Sequence, residues 1–243
     1  MPAGRLGPIM IRPLGVYPLR RAVGLLATLA SVALPVMAQT APNNCGNPFN
    51  AKYGPFDYRT TGAEQKSLVE TYHFTPLVEA LLAGQSTNQV GGDIGYTLRA
   101  FPNHHRALIA MMNLGAKLKT PLVPQGVYTV ECYFERAIVF RPDDAIVRMI
   151  YAKFLSANGR KEEATRQLEV AATSAQDNGF THYNIGLIYL EMGESDKALA
   201  EAQKAQQLGF MRDELKGRLV AAGKWVDPPA EAASAPAASA PAQ

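Results

Sequence analysis

Four residues of this chain have side chains that could carry out chemistry together: His73, Asp93, His104 and His105. Imidazole nitrogens and carboxylate oxygens bind transition metals, and a histidine beside an aspartate can act as a general base. His104 and His105 are adjacent, so on a helix they point about 100° apart and cannot both face one ion. A site therefore requires the fold to bring His73, Asp93 or Cys132 close to one of them. A metal-binding or hydrolytic factor of the cell envelope, with its site on these residues, is therefore the alternative to a non-catalytic function.

The common catalytic motifs are missing from the sequence. It contains no His-Glu-x-x-His and no paired Cys-x-x-Cys motifs. Gly91-Gly92-Asp93 lacks the Lys-Ser/Thr of a phosphate-binding loop and predicts a turn. Ser86 lacks the Gly-x-Ser-x-Gly context of an activated serine. We therefore expect a protein that is not an enzyme and that has no metal ion and no cofactor.

Residues 1–38 predict a secretory signal peptide. The apolar run from Ala22 to Leu34 is too short to cross a bilayer as a stable helix. Val36-Met37-Ala38 provides the small residues that a signal peptidase reads, which makes Gln39 the expected new N-terminus. The alternative is an uncleaved membrane anchor. Cleavage implies a periplasmic location and no stable membrane insertion of the mature chain.

The exported part lacks the excess of positive charge that is typical of nucleic-acid-binding proteins. The full chain has 24 basic and 21 acidic residues. The predicted signal peptide contains no acidic residue but has four arginines, namely Arg5, Arg12, Arg20 and Arg21. Basic and acidic residues are therefore nearly equal in number after residue 38, and we expect no binding to nucleic acid.

The two cysteines, Cys45 and Cys132, both lie in the exported part. An even cysteine count in an oxidising compartment favours a disulfide bond. This bond would tie the N-terminal segment to the first helical repeat. The alternative is a pair of buried free thiols.

Two further segments frame the helical region. Residues 39–101 predict a loop-rich segment with two short helices, one ending near His73 and one starting at Pro76, followed by a loop over residues 84–97. Residues 227–243 consist almost wholly of Pro, Ala, Ser, Glu and Gln and predict a disordered tail. One domain, residues 102–226, remains between them.

A repeated pattern organises that domain. The segment Gly159 to Ala164 matches the segment Gly193 to Ala198, which follows it at a period of 34 residues. Small residues recur after both segments at the spacing of a helix. A shift by the same period places Phe134, Ala137 and Pro142 in an earlier repeat. Such a period indicates stacked pairs of helices.

This pattern resembles the tetratricopeptide-repeat family. Ile185-Gly186 and Tyr189 match the family's Leu-Gly and Tyr positions, and Ala198 and Ala205 match its two alanines. The preceding repeat has equivalent residues, namely Tyr151, Ala152, Leu155, Ala164, Leu168 and Ala171. The resemblance implies an all-α fold: a short right-handed α-solenoid of about three helix-turn-helix repeats, closed by a C-terminal capping helix. The alternative is an ordinary antiparallel helical bundle.

The resemblance also implies a binding groove lined by the first helix of each repeat. The expected groove residues are Ile146, Met149, Lys153, Phe180, Tyr183, Asn184 and Leu187. Such a face is largely apolar and aromatic, which suits an amphipathic or extended peptide. Too few lysines, arginines and asparagines are present for the capture of a free C-terminus. Alternatively, these residues pack on the N-terminal helices and form core.

The N-terminal segment carries a second resemblance. Gly54-Pro55-Phe56-Asp57-Tyr58-Arg59 and the stretch from Phe101 to Leu108 are similar to exported repeat proteins of proteobacteria. This resemblance implies the Gram-negative periplasm as a setting. The sequence thus favours a periplasmic adaptor that binds a protein or peptide of the cell envelope. A purely structural envelope component, with the tail as a spacer, is a further possibility.

Overall fold

The computed structural model describes residues 45–210 and 212–227. Within these ranges every regular element is an α-helix, so the prediction of an all-α fold is confirmed for them. The predicted signal peptide and all of the predicted tail after Asp227 lie outside the described residues.

The N-terminal segment contains three helices, α1 (Ala63–His73), α2 (Pro76–Glu79) and α3 (Val90–Ala100). The prediction of two helices and a loop over residues 84–97 was therefore wrong from Val90 onward. The glycines of α3 are packing positions, since a side chain at Gly91 would lie 2.5 Å from the carbonyl oxygen of Pro124. The prediction of a turn at Gly91-Gly92-Asp93 was also wrong, since these residues form the buried first turn of a helix.

The rest of the described chain forms helices in antiparallel succession. They are α4 (His105–Leu118), α5 (Val130–Phe140), α6 (Ala145–Ala157), α7 (Lys161–Ala175), α8 (Gly179–Glu191), α9 (Ser195–Gln207) and α10 (Asp213–Ala221). The most extensive packing joins α6 to α7 and α8 to α9. In addition, α4 packs on α6, α6 packs on α8, and α10 packs on both α8 and α9.

Side chains that accept hydrogen bonds start several of these helices. Asp144 accepts from the backbone N–H groups of Ile146 and Val147, and Asn178 accepts from that of Thr181. Such N-caps satisfy donors that have no partner inside the helix. His104 caps α4, while the side chain of the preceding Asn103 lies in a buried polar network.

A single apolar core runs from Phe74 in the N-terminal segment to Leu219 in α10. Its helices approach closely where small residues lie between them. Four fully buried alanines mark these crossings, namely Ala164, Ala171, Ala198 and Ala205. A smaller cluster around Val69 and Phe101 joins α1 to the end of α3.

Cys45 and Cys132 lie at disulfide-bonding distance, with their Cα atoms 5.1 Å apart. The predicted pairing of these two cysteines is therefore confirmed. The bond attaches the start of the described chain to the first turn of α5.

Candidate functional site

The four residues considered for chemistry do not converge. They form separate pairs with acidic side chains: His73 with Asp93, His104 with Glu70, and His105 with Asp144. Each pair holds two segments of the fold together. These residues therefore do not form a single metal-binding site.

His104 is fully buried, and its two ring nitrogens have different partners. Nδ1 accepts the backbone N–H of Ala107, 3.1 Å away, so it carries no proton. Nε2 lies 3.1 Å from Glu70 and donates to that carboxylate. Burial lowers the pKa of His104, and this effect outweighs the opposing influence of Glu70. The residue is thus a neutral helix cap.

His105 belongs to a second buried network. Its Nε2 lies 2.9 Å from Asp144, the residue that caps α6. The amide of Asn103 donates to Asp144 and also to Asp57, at 3.0 and 2.7 Å. Arg141 completes the network with a charged hydrogen bond to Asp57. These bonds fasten the N-terminal segment to the corner between α5 and α6.

His73 and Asp93 form the pair that lies beside a cavity. Nδ1 of His73 is 2.9 Å from Asp93, and the imidazole stacks on Tyr96 at 3.8 Å between ring centres. Asp93 is fully buried and also accepts from the backbone N–H groups of Gln85 and Thr87. Burial alone would raise the pKa of Asp93, but these bonds and that from His73 hold it below its usual value.

The cavity next to this pair has a volume of about 410 Å³. Its walls are mainly aromatic and aliphatic, and consist of Tyr53, Leu68, Val69, Tyr72, His73, Ser86 and Tyr96. Because Nδ1 of His73 is bound to the buried Asp93, Nε2 is the nitrogen left for a ligand. The nearby hydroxyl of Ser86 donates to the backbone carbonyl of Tyr72, so it is not presented as a nucleophile.

A basic cavity shares Tyr53 and Tyr96 with this one as walls. It has a volume of about 380 Å³ and is lined by Asn50, Ala51, Lys52, Tyr53, Tyr96, Arg99, Ala100 and Val127. Sequence reasoning missed this site because α3 was interpreted as a loop. Tyr96 and Arg99 are three residues apart, so a helical reading would have placed both on one face.

The predicted groove residues divide into two sets. Met149 and Tyr183 are buried, with 8% and 5% of their surfaces exposed. Met149 belongs to the main core, and the Tyr183 hydroxyl donates to Glu214 of α10. Their assignment to an open groove was wrong, because neighbouring helices cover them.

The other predicted groove residues are at least partly exposed. Ile146 and Phe180 have 39% and 52% of their surfaces exposed. Lys153 forms a salt bridge with Glu191, which links α6 to α8 at 3.2 Å. Asn184 and Leu187 are half-buried on α8, and Asn184 donates to the carbonyl of Phe180.

A third cavity, of about 340 Å³, lies between α4 and α6 and is mainly apolar. Met112, Val130 and Phe154 are its largest apolar walls, and Ala157 lines it at the end of α6. Ile146, Lys153 and Ala157 follow each other at helical spacing, so they form one stripe along α6 that leads to this cavity.

Potential metal ligands come together at one place among the described residues: Cys45, Cys132 and Glu135. Two of these three are joined as the disulfide. None of the helices in the described ranges combines the length and apolar character needed to cross a membrane. Comparison with protein-family models, with curated proteins and with solved structures returns no match.

Proposed function

We propose that the chain is a non-catalytic adaptor of the cell envelope, which binds a protein or peptide on the exposed face of α4, α6 and α8. The observation that carries this proposal is the exposure of Ile146 and Phe180. They are one repeat period apart and lie at the same position of α6 and α8. Large apolar side chains left in solvent at equivalent positions are typical of an interaction surface.

The repeat interpretation supports this choice of face. We propose that α4–α5, α6–α7 and α8–α9 are the three helix pairs of a short right-handed solenoid of the tetratricopeptide type. The packing of α4 on α6 and of α6 on α8 agrees with a row of first helices. α10 covers the last pair, as the terminal cap of such an array requires.

The chemistry of the face suggests the kind of partner. The stripe of Ile146, Lys153 and Ala157 on α6 leads to the apolar cavity between α4 and α6, and the Lys153–Glu191 pair places charge within that stripe. We propose a peptide or helix that inserts an apolar side chain into this cavity and lays a further apolar residue against Ile146 and Phe180. Helix-in-groove recognition uses this combination of anchors.

The proposed setting is the periplasm. The sequence pattern of residues 1–38 predicts export, and the Cys45–Cys132 bond is stable in an oxidising compartment. We do not propose hydrolysis or a metal-dependent activity, since the histidines are used in separate structural pairs.

A photo-crosslinking experiment tests this proposal. Benzoylphenylalanine is placed at Phe180 in one variant and at Val170, an exposed residue of α7, in a control. The proposal predicts a crosslinked envelope protein from position 180 and none from position 170. Equal crosslinking at both positions, or none at either, would contradict it; the second result would favour a purely structural component.

A further inference from the structure

The basic cavity contains positive charges that lack partners. Arg99 lines it, yet makes no hydrogen bond or salt bridge within the described residues, and its Nη1 is buried without a partner. Its planar guanidinium lies 5.7 Å from the centre of the Tyr96 ring. Lys52 lines the same cavity and is exposed, again without a salt bridge in the described part of the chain. Arg99 is half-buried, and a buried guanidinium nitrogen normally has a partner, so its Nη1 needs an explanation.

A second arginine, Arg136, is influenced by the charge of Arg99. Arg136 has only 2% of its surface exposed, and its Nε has no hydrogen-bond partner. Its Nη1 donates to the backbone carbonyl of Cys45, and the guanidinium lies 4.2 Å from the centre of the Tyr128 ring. Burial, and in addition the nearby charge of Arg99, lower the pKa of Arg136. Among the described residues, Nη1 of Arg99 and Nε of Arg136 are thus both buried without a hydrogen-bond partner.

A like charge near a buried arginine is unfavourable unless an anion lies beside it. Gly95 has no side chain at the point where the Tyr133 hydroxyl and Arg99 Nη1 approach, and a Cβ there would lie 2.7 Å from that hydroxyl. An anion in the basic cavity would neutralise Arg99 there.

The basic cavity and the aromatic cavity beside His73 share Tyr53 and Tyr96 as walls. We call them together the tyrosine cleft. One side offers Lys52 and Arg99, and the other offers Leu68 and Tyr72. Each cavity has the volume of a small-molecule site. The combination matches a ligand that has a charged end and an apolar body.

We propose that the tyrosine cleft binds a small organic carboxylate, with the carboxylate at Arg99 and Lys52 and a planar apolar body against Tyr53 and Tyr96. Arg99 is the main ligand, because a guanidinium binds a carboxylate through two parallel hydrogen bonds. The positive charge of Arg136 adds long-range attraction for the carboxylate. This site is separate from the adaptor face, and its occupation does not depend on a protein partner.

Calorimetric titration with phenylacetate tests the proposal, with phenylacetamide as the uncharged analogue and inorganic phosphate as the anion alone. Phenylacetate should bind at least about tenfold more tightly than the amide, as a lost charged hydrogen bond implies. It should also bind more tightly than phosphate, which has no apolar body. Equal binding of phenylacetate and its amide, tighter binding of phosphate, or no binding of phenylacetate at millimolar concentration would overturn the proposal.

Arg99→Gln tests the assigned ligand. It should weaken phenylacetate binding at least about tenfold, while Arg166→Gln, at an exposed arginine of α7, leaves binding unchanged. Without ligand, Arg99→Gln should keep or raise the melting temperature, because it removes a charge that repels Arg136. A lower melting temperature or failure to fold would instead identify a structural role and contradict the proposal.

Lys52→Gln provides a second, surface-exposed variant that tests the same site without disturbing the core. It should weaken phenylacetate binding several-fold and lessen the dependence of affinity on salt concentration. If Lys52→Gln changes neither the affinity nor its salt dependence, the basic cavity is not part of the binding site, which would contradict the proposal.

Discussion

The side-chain amide of Asn103 lies 2.7 Å from a carboxylate oxygen of Asp57, although the two residues are 46 positions apart. Both are buried. Burial alone would raise the pKa of Asp57, but hydrogen bonds from Arg59 and Asn103 hold it well below its usual value. The N-terminal segment is therefore attached to the helices by an ionised carboxylate that depends on its donors.

Replacing Asn103 with alanine should destabilise the protein. The change leaves oxygens of Asp57 and Asp144 without the amide donor in a buried site. We expect a loss of about 2–4 kcal/mol in the free energy of unfolding, measured by urea denaturation. Asn113→Ala, at an exposed position of α4, is the control and should change stability by less than about 0.5 kcal/mol. Equal stabilities of the two variants would contradict a structural role for the network.

His104 makes stability sensitive to mild acid. Its pKa is lowered in the folded state from the ordinary value of 6.5, so the unfolded chain takes up a proton first. Stability is therefore greatest above pH 6.5 and falls as the pH drops below it, by up to about 1.4 kcal/mol per pH unit.

His104→Asn keeps a good helix cap and removes the titrating ring. The variant is expected to show a smaller loss of stability between about pH 7.5 and 5.5, whatever its stability at neutral pH. Thermal melts of both proteins across this range supply the comparison. A variant with the same pH slope as the original chain would show that another group is responsible.

Reduction of the disulfide should destabilise the fold. Cys45 and Cys132 are separated by 87 residues, and closing so long a loop restricts the unfolded chain by about 4 kcal/mol on the loop-entropy account. Urea denaturation with and without a reductant measures the difference. The Cys45→Ser, Cys132→Ser double variant is the control, because a reductant should have no further effect on it. Unchanged stability of the original chain on reduction would count against the bond as a stabilising link.

Two helical glycines should respond to alanine with opposite signs. In Gly91→Ala the new methyl group would lie 2.5 Å from the Pro124 carbonyl oxygen, so we expect a loss of about 1–3 kcal/mol. Gly217 of α10 has open space at the same position, and Gly217→Ala should stabilise by about 0.5–1 kcal/mol. Chemical denaturation of both variants decides this. Destabilisation by Gly217→Ala, or stabilisation by Gly91→Ala, would contradict the packing described for the helix that carries that glycine.

These glycines also show what the sequence could predict. The all-α class and the helices near residues 145–207 followed from the repeat pattern and the family resemblance that it carries, and the cysteine pair followed from the even cysteine count. Helix α3 was missed because Gly91-Gly92 is typical of a turn when only neighbouring residues are considered. In the helix, Val123 and Pro124, which are distant in sequence, pack against Gly91, and Gln125 packs against Gly92.

The candidate sites were predicted less well for a related reason. The repeat position of Ile146 and Phe180 could be read from the sequence, whereas the burial of Met149 and Tyr183 depends on neighbouring helices. The pairing of His104 with Glu70 and of His105 with Asp144 joins segments that no local pattern connects. Arg99 and Arg136 are identifiable only after the fold shows that each has a buried nitrogen without a hydrogen-bond partner.

The adaptor proposal rests on the exposed face of α6 and α8, and one binding measurement tests it most directly. The affinity for the crosslinked envelope partner is measured for the original chain and for two double variants. One, Ile146→Glu with Phe180→Glu, alters the proposed face. The other, Val139→Glu with Val170→Glu, alters exposed valines of α5 and α7.

Both variants place two charges at exposed positions, so circular dichroism should show that each remains folded. The proposal predicts that the variant at Ile146 and Phe180 binds at least about tenfold more weakly, as expected when central apolar anchors are lost. The variant at Val139 and Val170 should bind like the original chain. Equal affinities of all three proteins, or a loss confined to the valine variant, would contradict an adaptor face on α6 and α8.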